Sequence, residues 1–591
     1  MMSVHYHFVI ACFISEVLFV VLHRKSSNIR QLFGLILIPS SLYFFTYRNS
    51  LLPLWNGYGV YATSIICTIA TLFLCTLTFK DNQAKKEKWM VTIAFVAISF
   101  FLIAFSYGIP WLVKAFPLDN PDAVLFTLLQ NKTGTESFVW DMVWRNVIRP
   151  TLLTYVPISV ALFLLAMVVR LSRKKWCFSF FRIRTNLDSG SNIWVPLKQL
   201  STLFLVCSLV VFFVVVPKLV PPLYKLCGAY FESSKRCDSQ LYLNEYVFPD
   251  SVSVEFPERK RNLIYIMMES METNFKDYTP EINRLSKENV SFLPGGIDLA
   301  MTTWTMAAQV AKMCGVPLNV PRDMENSEEV NSFLPYVKCL PDIFAEYNYN
   351  QVYVQGSDGT FASKRQFWNQ HHVDAFYDFP YYKKNKIVDD KKEIFWGVTD
   401  RTLYGLIKKE LLELASDSLK PFALYAMTVD THFPDGYLSE GCEIPENEVS
   451  QFPSVLRCSS RMLDSFLNWA KEQSWYENTT IVVVGDHSWV KFNDVMGIPK
   501  SEPLYWINFF VNSQAIPPKQ NRKFASFDMF PSVLEALGVT ISGHRLGLGT
   551  SVFSAENTLL EKMHIDTLNA KIREKSYQYD YFMNGGDFIN K

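Results

Sequence analysis

Apolar residues fall along this chain in two regimes. Over residues 1–220 they run in six blocks, about 5–22, 31–47, 58–79, 89–113, 151–170 and 200–220. Most are long enough to cross a hydrocarbon layer of ~30 Å as a helix, which takes ~20 residues. The second block, LFGLILIPSSLYFFTY, is interrupted by Pro39, yet six crossings rather than five keep the charges between blocks in register. From about residue 245 the pattern changes to short apolar runs separated by amphipathic stretches. NLIYIMM (262–268), YNQVYVQG (349–356), PFALYAMTV (421–429), TIVVVGD (480–486) and YWINFFVN (505–512) read as strands, and 304–314, 400–416, 455–473 and 526–537 as helices. These strand runs are apolar at successive positions rather than alternate ones, as in a parallel sheet covered by helices on both faces. The order β-α-β-α predicts a doubly wound α/β domain. The expected organisation is an N-terminal all-α polytopic membrane domain of six helices (1–220), a linker and juxtamembrane segment (221–259), an α/β domain (260–550) and a C-terminal extension (551–591).

Charge between the blocks orients them through the excess of Lys and Arg on the cytoplasmic side. The first, third and fifth connections hold Arg24, Lys25 and Arg30; Lys80, Lys85, Lys86 and Lys88; and Arg173, Lys174, Lys175, Arg182, Arg184 and Lys198. The second holds only Arg48. Both termini, and everything after about residue 220, are therefore expected outside the cytoplasm. No basic region precedes the first block and Arg24 and Lys25 follow it, so it reads as a retained anchor rather than a cleaved leader. A net charge of +1 over 591 residues argues against a nucleic-acid partner. Six of the eleven cysteines, Cys227, Cys237, Cys314, Cys339, Cys442 and Cys458, lie in the part expected outside. An even set there can pair. The sequence-local arrangement, one of fifteen, joins Cys227–Cys237, Cys314–Cys339 and Cys442–Cys458. There is no CxxC to suggest zinc.

The chemistry gathers at strand ends. IVVVGDHSWV (481–490) stops at Gly485 and presents Asp486 and His487; NLIYIMMES (262–270) delivers Glu269. Ligands in doubly wound domains sit beyond the carboxyl ends of the strands, and two carboxylates with an imidazole suit Mn²⁺, Zn²⁺ or Mg²⁺. Any one of them alone reads as an ordinary polar residue at a strand end. In AMTTWTMAAQVAKMCGVPL (300–318), Thr302, Thr303 and Thr305 crowd a helix start, where free N–H groups favour phosphate. A lone threonine there is usually a cap, but a neighbouring metal can activate its hydroxyl.

NLIYIMMESME, TTWTMAAQVAKMCGVPL, MTVDTHFPDGYLS and IVVVGDHSWV together resemble the bacterial phosphoglycerol transferases that decorate periplasmic glucans. More broadly they resemble the sulfatase-fold lipid-headgroup transferases, which include lipoteichoic acid synthases and lipid A phosphoethanolamine transferases. The resemblance covers most of 260–550 and extends to the membrane half only in general plan. It implies an alkaline-phosphatase-like fold for the external domain and one divalent metal held by Glu269, Thr305, Asp486 and His487. It also implies that Thr305 is the nucleophile, because ten residues separate it from Gly315 as in the family's nucleophile helix; Thr302 is the alternative. His432 matches the family's phosphate-contacting histidine, Lys364 falls at a substrate contact, and Trp368 at the headgroup pocket. A solvated Lys364–Arg365 pair and a buried Trp368 are the plainer alternatives. FDMFPSVLEALGV (527–539) looks like the family's late Asp–Pro helix, an architectural part.

The implied activity is transfer of phosphoglycerol from phosphatidylglycerol, through a covalent threonine intermediate, to a periplasmic glucan or surface polysaccharide. The implied place is a bacterial inner membrane with the catalytic domain in the periplasm. The sulfatase signature of Cys or Ser followed by x-Pro-x-Arg is missing, which argues against sulfate-ester hydrolysis. Where phosphoethanolamine transferases place a further histidine, this chain reads SWVKFNDVMG (488–497). Phosphoethanolamine transfer to lipopolysaccharide, a membrane-anchored phosphodiesterase and a non-catalytic scaffold are the competing readings.

Overall fold

The computed structural model describes residues 143–153, 156, 236–319, 333–388, 396–417, 419–432, 436–445, 451–488, 504–586 and 588. Apart from residues 151–153 and 156, the six proposed spans lie outside these. Among the described residues, no helix is long and apolar enough to cross a membrane. The chain divides into two compact units, one of residues 1–119 and 139–225 and the other of 120–138 and 226–591; the following concerns the second.

Six strands form its sheet: β1 (Asn262–Met268), β2 (Asn350–Gln355), β3 (Ala375–Tyr377), β4 (Phe422–Met427), β5 (Thr479–Gly485) and β6 (Asn508–Val511), in the order β3-β2-β4-β1-β5-β6. All pair in parallel except β6, which runs antiparallel to β5. The central strand β1 is buried at every position. Leu263, Tyr265 and Met267 enter one core, and Ile264, Ile266 and Met268 the other. Full burial of each such side chain stabilises by ~1.5–3 kcal/mol, which fixes β1 in the middle of the sheet. The first core is roofed by α1 (Thr305–Cys314), α2 (Leu340–Glu346) and α3 (Met529–Ala536), the second by α4 (Asp400–Leu414) and α5 (Phe452–Lys471). The doubly wound expectation holds, with two differences. The edge strand β3 is only three residues long and half-buried, too short for a run of apolar residues to announce it. The 526–537 helix begins as a 3-10 turn at Ser526–Asp528 before α3.

The segments expected as linker and extension pack into the same core. Leu241 and Tyr242 from one, and Leu568, Ile572 and Phe582 from the other, are buried in it. Tyr242 and Phe582 meet edge to face, 5.7 Å between ring centroids. Two of the three sequence-local disulfides form, Cys314–Cys339 and Cys442–Cys458. Cys237 is a free thiol that lies 3.5 Å from the carbonyl of Lys575, and Cys227 falls outside the described residues. Cys314–Cys339 closes 25 residues of chain from the last residue of α1, which stabilises by ~3 kcal/mol in the chain-entropy account.

At the carboxyl end of β4 two buried aspartates cap one another. The amide of Asp400 donates to Asp430 Oδ1 and that of Asp430 to Asp400 Oδ2, both at 3.1 Å, while Val429 N donates to Asp400 Oδ1 at 2.7 Å and the Ser439 hydroxyl to Asp430. Burial pushes the Asp430 carboxyl up to about 6, and burial together with Asp430 carries Asp400 well above the usual range. Because the folded pKa is raised, the contribution is fully present below the unfolded value near 3.8 and is lost as pH rises through about 6. Domain stability should therefore fall across this window, at most ~1.4 kcal/mol per pH unit for one proton. Asp430→Asn should flatten that slope in chemical denaturation series run at pH 4.5 to 7.5; an unchanged slope would exclude a raised Asp430 pKa as its source.

Candidate active site

Glu269 follows β1 and is 3% exposed, Asp486 and His487 follow β5, and Thr305 opens α1. β1 and β5 are neighbours in register, Met268 opposite Gly485, so their carboxyl ends bring the three acidic and imidazole groups together. Gly485 is required by close approach: a Cβ there would lie 2.2 Å from the Met271 carbonyl oxygen. Ser270 adopts φ 49°, a left-handed conformation that costs a non-glycine residue ~1–3 kcal/mol. It gains two bonds at the site, its amide donating to Asp486 Oδ1 and its hydroxyl to Glu269 Oε1, each at 2.7 Å.

Thr305 is the first residue of α1, with Trp304 as its N-cap and no side-chain capping bond. Its hydroxyl reaches Glu269 Oε2 at 3.3 Å and lies 3.5 Å from His487 Nε2. Thr302 is used otherwise. Its fully buried hydroxyl donates to the Leu299 carbonyl and accepts from the Leu299 amide, both at 2.9 Å, closing a turn. Gly315 ends the helix at φ 69°, its amide bonding to the Ala311 carbonyl. The left-handed residue there is what glycine supplies at a helix C-terminus.

Glu269, Asp486 and His487 present ligand atoms all within 4.8 Å of one another. His487 Nδ1 lies 2.9 Å from the Ser488 carbonyl and donates to it. In the neutral ring Nε2 is then the nitrogen that carries the lone pair, 3.4 Å from Asp486 Oδ2 and 3.8 Å from Glu269 Oε1. Asp486 Oδ2 is buried with no hydrogen-bond partner. Burial and the adjacent Glu269 push the Asp486 carboxyl up to about 7. Against the downward push of burial, Asp486 and Glu269 carry His487 up to about 8. Crowded carboxylates, an orphaned oxygen and a fixed imidazole lone pair form a donor set that fits one divalent cation. Among the described residues one other cluster has metal-binding residue types, Cys314, Cys339 and His371. There the sulfurs are joined to each other, and the His371 nitrogens meet Asp342 and the Phe333 carbonyl.

Lys364 begins α-helix Lys364–Gln370 after two left-handed residues, Ala362 and Ser363. It is 7% exposed, lies 3.4 Å from the Ser357 hydroxyl, and feels the charges of Glu269, Asp358, Asp378 and Asp486. Burial pulls its pKa down against them. Arg365 pairs with buried Asp378. The two are thus not a solvated pair. His432 sits in the turn after β4 with its ring 4.4 Å from that of Trp396. Trp368 is a correction to the headgroup-pocket expectation. It is fully buried, donates its indole N–H to Gln309 Oε1 at 3.0 Å and packs on Tyr353 and Tyr425, because its helix turns that face toward the sheet. Sequence reasoning missed Ser270, Asp298 and Lys312. Lys312 left one signal, as the single charge in TMAAQVAKMC.

A largely parallel sheet between two helical layers thus turns two carboxylates and an imidazole toward a helix-borne hydroxyl. Residues 261–539 match the family model described as Sulfatase. The chain is 32% identical over 323 residues to phosphoglycerol transferase I of Escherichia coli (strain 55989 / EAEC), covering 52% of this chain and 40% of that protein. It therefore spans about 40% of the length of the curated relatives it matches. Similar solved structures include the lipoteichoic acid synthase LtaP from Listeria monocytogenes (17% identity, 51% of this chain and 79% of that one, TM-score 0.42). Another is the lipooligosaccharide phosphoethanolamine transferase A from Neisseria meningitidis (13% identity, 86% and 95%, TM-score 0.43).

Metal-stripped protein should take up about one equivalent of Mn²⁺ in isothermal titration. Glu269→Gln and Asp486→Asn should each weaken that uptake by at least ~10-fold, as loss of a ligand or its support does. Binding at wild-type strength in Asp486→Asn would mean the ion sits elsewhere.

Proposed function

We propose that this protein transfers phosphoglycerol from phosphatidylglycerol to a periplasmic glucan or surface polysaccharide, in a bacterial inner membrane with residues 260–550 on the periplasmic side. The observation that carries the reading is the Thr305 hydroxyl, at a helix start, within 3.5 Å of both Glu269 and His487. The similarity to phosphoglycerol transferase I supports the donor. Glu269, Asp486, His487 and Thr305 would hold one Mn²⁺, Zn²⁺ or Mg²⁺, which when bound supplies Lewis-acid activation of the threonine oxygen and of the phosphoryl group.

Thr305 Oγ attacks phosphorus and loses its proton. The bond from phosphorus to the diacylglycerol oxygen breaks, and diacylglycerol leaves as an alcohol after taking up a proton. The glycerophosphoryl group then rests on Thr305 until an acceptor hydroxyl attacks the same phosphorus, gives up its proton and restores the threonine. The start of α1 turns its free N–H groups and positive dipole end toward the phosphate. Lys364 lends its charge to the phosphoryl oxygens, and His432 contacts the transferred group or moves its proton. The apolar blocks of residues 1–220 keep the domain beside its lipid donor.

Thr305→Ala should abolish turnover while changing stability by no more than ~1 kcal/mol, since no cap is lost. Wild-type protein incubated with labelled phosphatidylglycerol and no acceptor should carry a glycerophosphoryl adduct on the peptide containing Thr305. Persistent turnover in Thr305→Ala would remove covalent catalysis by this residue. Free glycerol phosphate as the main product with acceptor present would make the protein a hydrolase instead.

A further inference from the structure

The nucleophile helix α1 carries one charged side chain, and it faces inward. Lys312 is 0% exposed. Its Nζ donates to the backbone carbonyl of Asp486 at 2.6 Å and to the Ser526 hydroxyl at 3.0 Å, and stands 4.1 Å from the centroid of the Trp506 ring. Seven residues separate it from Thr305, close to two helical turns, so both side chains lie on one face of α1. One buried ammonium therefore joins the helix that presents Thr305 to the strand end that presents Asp486 and His487. From the segment leading into α1, Asp298 Oδ2 accepts the Ser488 amide at 2.7 Å, and the Ser488 carbonyl in turn holds His487 Nδ1. The backbone 486–488 is thus held at two points by side chains from one stretch of chain, 298–312.

A buried ammonium is an expensive way to fill space. An apolar side chain of similar volume would pack between Trp506 and the sheet without desolvating a charge, and such exchanges are often neutral or stabilising. What a methionine could not supply is the pair of directed donors, one of them on the carbonyl of an expected ligand residue. We propose that Lys312 is a positioning residue for the Thr305 reaction, fixing the carboxyl end of β5 against α1 so that the Thr305 oxygen and the Asp486 and His487 ligand atoms keep their separation. This rests on Thr305 being the nucleophile, but its test does not depend on turnover.

The test uses the full-length protein and Mn²⁺ alone as probe. Lys312→Met should bind Mn²⁺ about 10-fold more weakly, in the range typical for loss of a support behind metal ligands. Charge alone predicts the opposite, since removing a neighbouring cation favours another cation. Amide hydrogen exchange at 485–488 should quicken in the metal-free variant while the rest of the sheet keeps its protection. With phosphatidylglycerol, kcat should fall ~10–100-fold with KM within about threefold of wild type, since the hypothesis moves reacting groups and not the headgroup contacts. Mn²⁺ binding equal to or tighter than wild type, in a variant of unchanged global stability, would overturn the proposal. If Lys312→Met does not fold, Lys312→Gln and Ser526→Ala are read by the same Mn²⁺ and exchange criteria. Turnover surviving in Thr305→Ala would remove the nucleophile reading while leaving the Mn²⁺ result for Lys312 decisive on its own.

Discussion

Glu269 and Asp486 are buried at the ends of two adjacent strands, and one Asp486 oxygen has no hydrogen bond. Carboxylates so placed repel each other in a medium that screens poorly. Everything around them answers that repulsion. Ser270 spends a left-handed conformation to donate to both, Lys312 and Lys364 bring their charges from two different helices, and His487 turns Nε2 toward both carboxylates. The remaining imbalance is what a divalent cation would remove. The sheet supplies the rigidity that keeps the groups from relaxing apart, because β1 and β5 are locked in register over seven pairs.

Much of this was legible in the sequence because parallel strands leave a strong mark. Buried on both faces, β1 and β5 read as unbroken apolar runs, so their ends, and hence Glu269, Asp486 and His487, could be placed on one edge. The threonines could not be separated that way. Thr302, Thr303 and Thr305 share a helix start, and only the turn that consumes the Thr302 hydroxyl distinguishes it from Thr305. Trp368 illustrates the reverse problem. The resemblance put it at the headgroup pocket with burial as the plainer alternative, and its indole lies in the core, bonded to Gln309. The expected boundaries at 259 and 551 also misjudged packing, since short helices with two or three apolar residues give little periodic signal yet are buried through Tyr242 and Phe582. The membrane expectations for 1–220 rest on hydropathy and charge and, apart from residues 143–153 and 156, lie outside the described residues.

The loop after β4 links site and scaffold in another way. Asp400 begins α4 and Asp430 precedes His432 by two residues, so their mutual capping ties the histidine's turn to a helix of the second core. Trp396 packs against His432 from the chain just before α4, the two rings tilted by 49°. The turn is therefore held by a buried acidic pair on one side and an aromatic ring on the other.

The parallel arrangement has a kinetic consequence. Ser270 and Asp486, which touch, are separated by 216 residues of sequence, and Thr305 and His487 by 182. Contacts of such separation form late, because chain closure must precede any reward from pairing. No early fragment of the domain can contain the cluster: β1 and α1 emerge first, with their glutamate and threonine, and wait for β5. A chain halted or cleaved before residue 479 would keep a helix-borne threonine and most of one core, yet have no imidazole partner for it. Chemistry in this protein thus waits on contacts that close 182 to 216 residues of chain.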